Sequence, residues 1–213
     1  MQETRHEQIP PGKRDIIKVP SEYWDELQQR NPDELCKNSM ALPLFPQGVR
    51  IRFLQDDLLV DIQNQRIRGI DGRRRHDKDQ PLLELIVLVY LLNVTPAPLS
   101  RDMISVNDLK DAHFFQGPHT LKTAPVLKRF GRDLAGFKQA AEKLGGQAMD
   151  LADAAYKLTA LPKIPLYYLL WEGDEEFAPH LSVLFDRSIE QHLSADAIWG
   201  LVTLVSNALL ASV

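Results

Sequence analysis

The hydrophobic period of the chain changes twice, and the order of those changes limits the folds open to it. Val49, Ile51 and Phe53 alternate with Arg50, Arg52 and Leu54. After Gln55-Asp56-Asp57, Leu58, Val60 and Ile62 alternate again. Two period-two runs about a short polar turn predict a β-hairpin, which Arg66 to Ile70 extends. From Leu82 to Leu92 the chain is apolar almost all round, the pattern of a helix at the centre of a core. Strand patterns return at Ala155–Leu161, Leu166–Glu172 and Ser182–Asp186, around Pro162-Lys163-Ile164-Pro165. Strands therefore group at 42–70 and 154–186, with helices between and after. A parallel sheet would interleave strands and helices, so the grouping predicts an α+β fold with a mostly antiparallel sheet, the N-terminal hairpin plus the C-terminal strands, packed with helices in one domain.

Local signals bound the helices. Glu22 to Cys36 is amphipathic, with Tyr23, Trp24 and Leu27 on one side and Ser21 at the N-cap. Asn31-Pro32-Asp33 divides it in two. Asp79 or Gln80 caps the apolar helix, with Pro81 in its first turn. Met103–Leu109 reads as a short strand and turn, and His113 to His119 as a loop. Pro125 opens a helix ending near Gly131, and Asp133 caps another closed by Gly145-Gly146. Arg187 to His192 is a helical turn, and Ser194 caps the last helix with Asp196 against its dipole.

Residues 1–20 form a polar tail broken by Pro10-Pro11-Gly12, expected to be disordered, and 21–213 the domain. A formal charge of −4 exerts no net pull on nucleic acid or an anionic membrane. Cys36 is the only cysteine, so no intramolecular disulfide and no cysteine-rich zinc or iron–sulfur site is available, which fits a reducing, cytoplasmic setting. Leu82–Leu92 is too short to span a bilayer, and Thr203, Ser206 and Asn207 interrupt Ala197–Val213, so no membrane role is expected.

The familiar catalytic motifs are missing. Gly145-Gly146 follows a helix, whereas a phosphate loop precedes one, and neither G-x-S-x-G nor H-E-x-x-H occurs. The densest constellation is Trp171-Glu172-Gly173-Asp174-Glu175-Glu176-Phe177, carboxylates at a strand end beside an indole. Held together, such acids bind a cation or share a proton; spread apart, they solvate a turn. His113 and His119 sit in an aromatic loop, and His180 and His192 flank the last strand, with no metal-ligand spacing. Arg73-Arg74-Arg75-His76 is interleaved with Asp71, Asp77 and Asp79, which argues a solvated loop over a nucleic-acid patch. Glu84, in the first turn of the apolar helix, reads as a dipole-stabilised, partly exposed acid. After Asp196 the last helix carries no charge, so it either fills the core or packs on a second subunit or another partner.

Leu91-Leu92-Asn93 with its proline-rich turn, Arg129-Phe130-Gly131, Leu161–Pro165, Trp171–Phe177 and Leu184-Phe185-Asp186 together resemble the bacterial and archaeal family called domain of unknown function 3786. The resemblance runs from Tyr23 to Leu210. It implies no established activity. Some similar proteins are joined to a cysteine-rich iron–sulfur domain of the kind found in corrinoid one-carbon enzymes of anaerobes, which implies an accessory role near such chemistry. With Cys36 alone, any cluster would belong to another protein.

Three readings follow. The first is a binding domain for a ligand or partner, using Trp171, Glu172, Asp174 and Asp186 with His113 and His119. The second is an enzyme with Glu172, Asp174 or Asp186 as acid/base or metal ligands and His119 as proton carrier. The third is a structural module, a homodimer or a partner complex, working through the last helix. The residues specify no cofactor. The first reading requires the acidic bend after Leu170 to share a recess with Asp186.

Overall fold

The computed structural model describes residues 19–44, 46–70 and 80–212. Most of the expected tail, the Arg73–His76 run and Asp79 lie outside the described residues. The first amphipathic segment is two helices, α1 (Ser21–Gln29) and α2 (Pro32–Ser39). Pro32 disfavours helical backbone at Asn31. Asn31 then caps α2 by accepting from the amides of Asp33 and Glu34. Ser21 is the first helical residue of α1; Pro20 holds the cap position without a side-chain bond.

Strands β1 (Leu42–Leu44), β2 (Gly48–Phe53), β3 (Asp56–Asp61) and β4 (Arg66–Gly69) form one antiparallel sheet in that order. The β2–β3 turn is tighter than expected. Asp56 and Asp57 pair with Phe53 and Arg52, and Leu54, at φ 52°, turns the chain. Helix α3 (Gln80–Asn93) buries Leu83, Ile86, Val87, Leu88, Tyr90 and Leu91, as its composition demands.

A second antiparallel sheet takes the strands β5 (Met103–Ile104), β6 (Gln147–Met149), β7 (Ala154–Leu161), β8 (Ile164–Trp171) and β9 (His180–Asp186), in the order β5-β9-β8-β7-β6. Between β5 and β6 come three short 3-10 turns, then α4 (Ala124–Phe130) and α5 (Leu134–Lys143), the latter capped by Asp133. A 3-10 turn (Arg187–Gln191) leads from β9 to α6 (Ala195–Ala211). The fold is α+β as expected, but the strands divide between two sheets where a single one was expected. One core joins them: Ile51, Phe53 and Val60 of the first sheet belong to the same apolar cluster as Leu158, Leu166 and Tyr168 of the second. The Leu54 amide also donates to the Ala160 carbonyl at 3.1 Å.

Helix α6 is mostly core. Ile198, Leu201, Val202, Leu204, Val205 and Leu209 are buried, Trp199, Thr203, Asn207, Ala208 and Leu210 are half-exposed along its length, and Asp196 and Ala211 near its ends are exposed. Ser206, which interrupts the apolar run, meets the Tyr168 hydroxyl at 3.1 Å inside the core. Among the described residues no helix is long and apolar enough to cross a membrane.

Candidate functional site

Strands β8 and β9 run antiparallel, so residues near one another in the sequence blocks reach opposite ends of the sheet. At one end Trp171 pairs with His180, their ring centroids 5.4 Å apart. The His180 ring meets the Ser182 hydroxyl at 2.9 Å. The acidic bend follows Trp171. Asp174 accepts from the amides of Phe177 at 2.6 Å and Glu176 at 2.8 Å, an Asx-type turn, and these bonds hold its carboxyl below the usual range. The Glu172 amide donates to Asp153, which brings a further carboxylate to the bend. Glu172, Asp174, Glu175 and Glu176 are all exposed.

Asp186 lies at the other end of β9. Six residue steps separate it from His180, about 20 Å of strand. Its carboxylate is 1% exposed and accepts from five donors: the Ser100 amide and hydroxyl, the Arg101 amide, and the Ser188 amide and hydroxyl, at 2.6–3.0 Å. Burial pushes this carboxyl up, but the hydrogen bonds outweigh it and bring the pKa down to about 2. Arg101 is held at φ 64°, its amide turned onto the carboxylate. Asp186 therefore fastens the segment before β5 and starts the 3-10 turn after β9. It shares no recess with the acidic bend.

A buried polar network borders this end. The Lys163 ammonium, in the β7–β8 turn, donates to the carbonyls of Thr95 at 2.7 Å and Ala97 at 3.3 Å. The backbone of Lys163 bonds the Tyr90 phenol, which itself donates to the Ser39 carbonyl at 3.0 Å. His192 is 1% exposed and accepts the Thr95 amide at Nδ1, which leaves the proton on Nε2. That Nε2 has no hydrogen-bond partner. Burial, reinforced by the Lys163 charge and opposed by Asp186, lowers the imidazole pKa to about 4.

The two loop histidines lie elsewhere again. His119 stacks on Phe114 at 4.4 Å and meets Trp199 of α6 edge-on at 6.3 Å, while His113 is exposed. This aromatic group sits on α6 at Trp199, whose indole donates to the Thr120 carbonyl at 3.2 Å. Of the six expected site residues, the fold brings Trp171, Glu172 and Asp174 together and separates Asp186, His113 and His119 from them. Among the described residues no three His, Cys, Asp or Glu side chains form a group able to hold a metal ion. Glu84 is half-buried and accepts from the Trp24 indole at 3.3 Å; burial raises its pKa and that bond opposes the rise.

The outward face of the second sheet carries what the sequence reading missed. Inward positions of β8, Leu166, Tyr168 and Leu170, join the main core. Its outward positions are also apolar: Tyr167 and Leu169 form a second cluster with Ala155, rimmed by Met149, Ala152, Trp171 and Leu184. No described helix contributes a side chain to this cluster. The signal was present in Leu166-Tyr167-Tyr168-Leu169-Leu170-Trp171, because an unbroken apolar strand has two faces to cover.

A family model described as Domain of unknown function (DUF3786) matches residues 31–208. No curated protein and no solved structure matches the chain.

Proposed function

Since the chain belongs to the family of the domain of unknown function DUF3786, whose description assigns no activity, we propose from the structure that it is a partner-binding domain. Its working surface is the outward face of the second sheet, together with the acidic bend. The carrying observation is that β8 is apolar on both faces: on the outward one Tyr167 and Leu169 are buried, and Met149, Trp171 and Leu184 around them stay partly exposed. The partner is a protein segment with basic and bulky apolar side chains. Its apolar groups would cover the Met149–Trp171–Leu184 rim, and its cations would face Glu172, Glu175 and Glu176, with Asp153 beside them. Met103 at 40% exposure, Leu151 at 42% and Phe177 at 69% lie in or next to elements bordering this face and supply further apolar area.

Asp174 acts here by shaping the bend, and Asp186 by securing the sheet end. An iron–sulfur partner of the implied kind would bring its own cluster, and a cytoplasmic setting suits the lone thiol of Cys36. Helix α6 buries Ile198, Leu201, Val202, Leu204, Val205 and Leu209 in the domain's own core, which favours the sheet face over the last helix as the contact.

A displayed library of random 12-residue peptides tests this reading. Selected peptides are expected to combine Lys or Arg with aromatic or aliphatic residues and to bind more weakly as salt rises. Binding should fall at least about tenfold in Trp171→Ala and in the double variant Glu175→Lys/Glu176→Lys. Peptides without a basic bias, or binding indifferent to both variants, would sink the proposal.

A further inference from the structure

A recess of about 420 Å³ lies between the first two helices and the first sheet, far in sequence from the outward face of the second sheet. Leu27 of α1, Leu35 of α2, Val49 of β2 and Ile62 after β3 give it apolar walls, and Arg30, in the α1–α2 link, is the cation among the described residues that line it. The volume falls within the roughly 300–1,000 Å³ of small-molecule sites. Four segments meet here because Pro32 turns the chain between the helices and the β3 end folds back under α1. The Gln28 side chain donates to the Ile62 carbonyl at 3.1 Å and ties those two walls together.

Arg30 is held from outside the recess, by two groups that do not line it. Its Nη2 donates to the Leu92 carbonyl at 3.1 Å and to Glu26 at 2.5 Å. The described residues take nothing from its Nε–H or Nη1. A guanidinium anchored on one nitrogen and open on the others suits a carboxylate, which it can grip with two parallel bonds. Glu26 is the internal competitor. Both side chains of that pair are about half exposed, at 46% and 52%. Such surface pairs contribute only about 0–1 kcal/mol, so a ligand carboxylate displaces Glu26 at little cost.

We propose that this recess binds a small amphipathic carboxylate, its aliphatic or aryl body against Leu27, Leu35, Val49 and Ile62 and its head on Arg30. The site is independent of the partner face, so either reading survives the loss of the other.

Octanoate, 1-octanol and octylamine, titrated into the full chain and followed by amide chemical shifts and calorimetry, test the assignment. Octanoate is expected to bind more tightly than the other two and to shift the amides of Leu27, Gln47, Val49 and Ile62. Arg30→Gln should weaken octanoate at least about fivefold, and Glu26→Gln should strengthen it, opposite changes that a purely apolar cleft would not produce. Ile62→Trp, which fills the recess from a half-buried position, should abolish binding and keeps the test decisive if Arg30→Gln disturbs the helix link. Equal binding of the three probes, octanoate binding unchanged by these variants, shifts centred elsewhere, or no binding at millimolar concentration would each overturn the proposal.

Discussion

The two ends of the β8–β9 pair place aspartates in opposite surroundings. At the Asp186 end a carboxylate is sealed from water and saturated by five donors, some contributed from Ser100 and Arg101, about 85 positions away. At the Asp174 end the carboxylate caps its own turn and faces solvent. Identical chemistry is structural in one place and available for contact in the other, and the difference lies in how many donors the fold delivers and how much water it removes.

The largest effect expected from breaking that contrast comes from Asp186→Ala. It strands three backbone amides, one of them at a left-handed residue, and should cost about 3–5 kcal/mol in urea unfolding. Asp174→Ala should leave the urea midpoint nearly unchanged. If the two losses were comparable, the contrast would be wrong.

Next comes the acid sensitivity of His192. Its folded pKa of about 4 lies below the 6.5 of a free imidazole, so the folded state binds fewer protons. The stability it supports is full above pH 6.5 and is lost as pH falls toward 4, by about 3 kcal/mol at most. The loss measured across that window should shrink in His192→Phe. Asp186, with its pKa near 2, holds its charge throughout the window, so an unchanged slope in the variant would show that another group is responsible.

The two faces of β8 offer a third comparison. Leu170→Ala on the inner face should cost about 2–5 kcal/mol, as core leucines do. Leu184→Ala on the outer rim should cost less than about 1 kcal/mol in the isolated chain. An equal cost would mean that the rim is packed as tightly as the buried centre of that face, Tyr167 and Leu169. Tyr168→Phe removes the hydroxyl contacts with Val202 and Ser206 and should cost about 1 kcal/mol by thermal unfolding.

Much of the framework was legible because its causes are local. Pro32 and Asn31 mark the helix break, alternation at Val49–Phe53 marks the hairpin, and an all-round apolar surface marks α3 as central. β6 escaped because Gln147-Ala148-Met149 is too short and too polar to show a period. The Asp56–Asp57 pair read as a turn because aspartate is a turn former, but register with Arg52 and Phe53 overrides that preference. At the candidate site, the grouping of Trp171, Glu172 and Asp174 was visible as sequence adjacency. The separation of Asp186 was not, since nothing in a single strand says how far its two ends stand from a given neighbour.

By itself the sequence determined the element types, the α+β class and the burial of α3 and α6, all consequences of side-chain periodicity over a few turns. Only the tertiary structure decided that the strands divide between two sheets, that Asp186 is spent on Ser100, Arg101 and Ser188, and that Arg30 stands beside an apolar recess. Those outcomes depend on segments meeting across many tens of residues, where pairing register and the removal of water, not local preference, set the free energy.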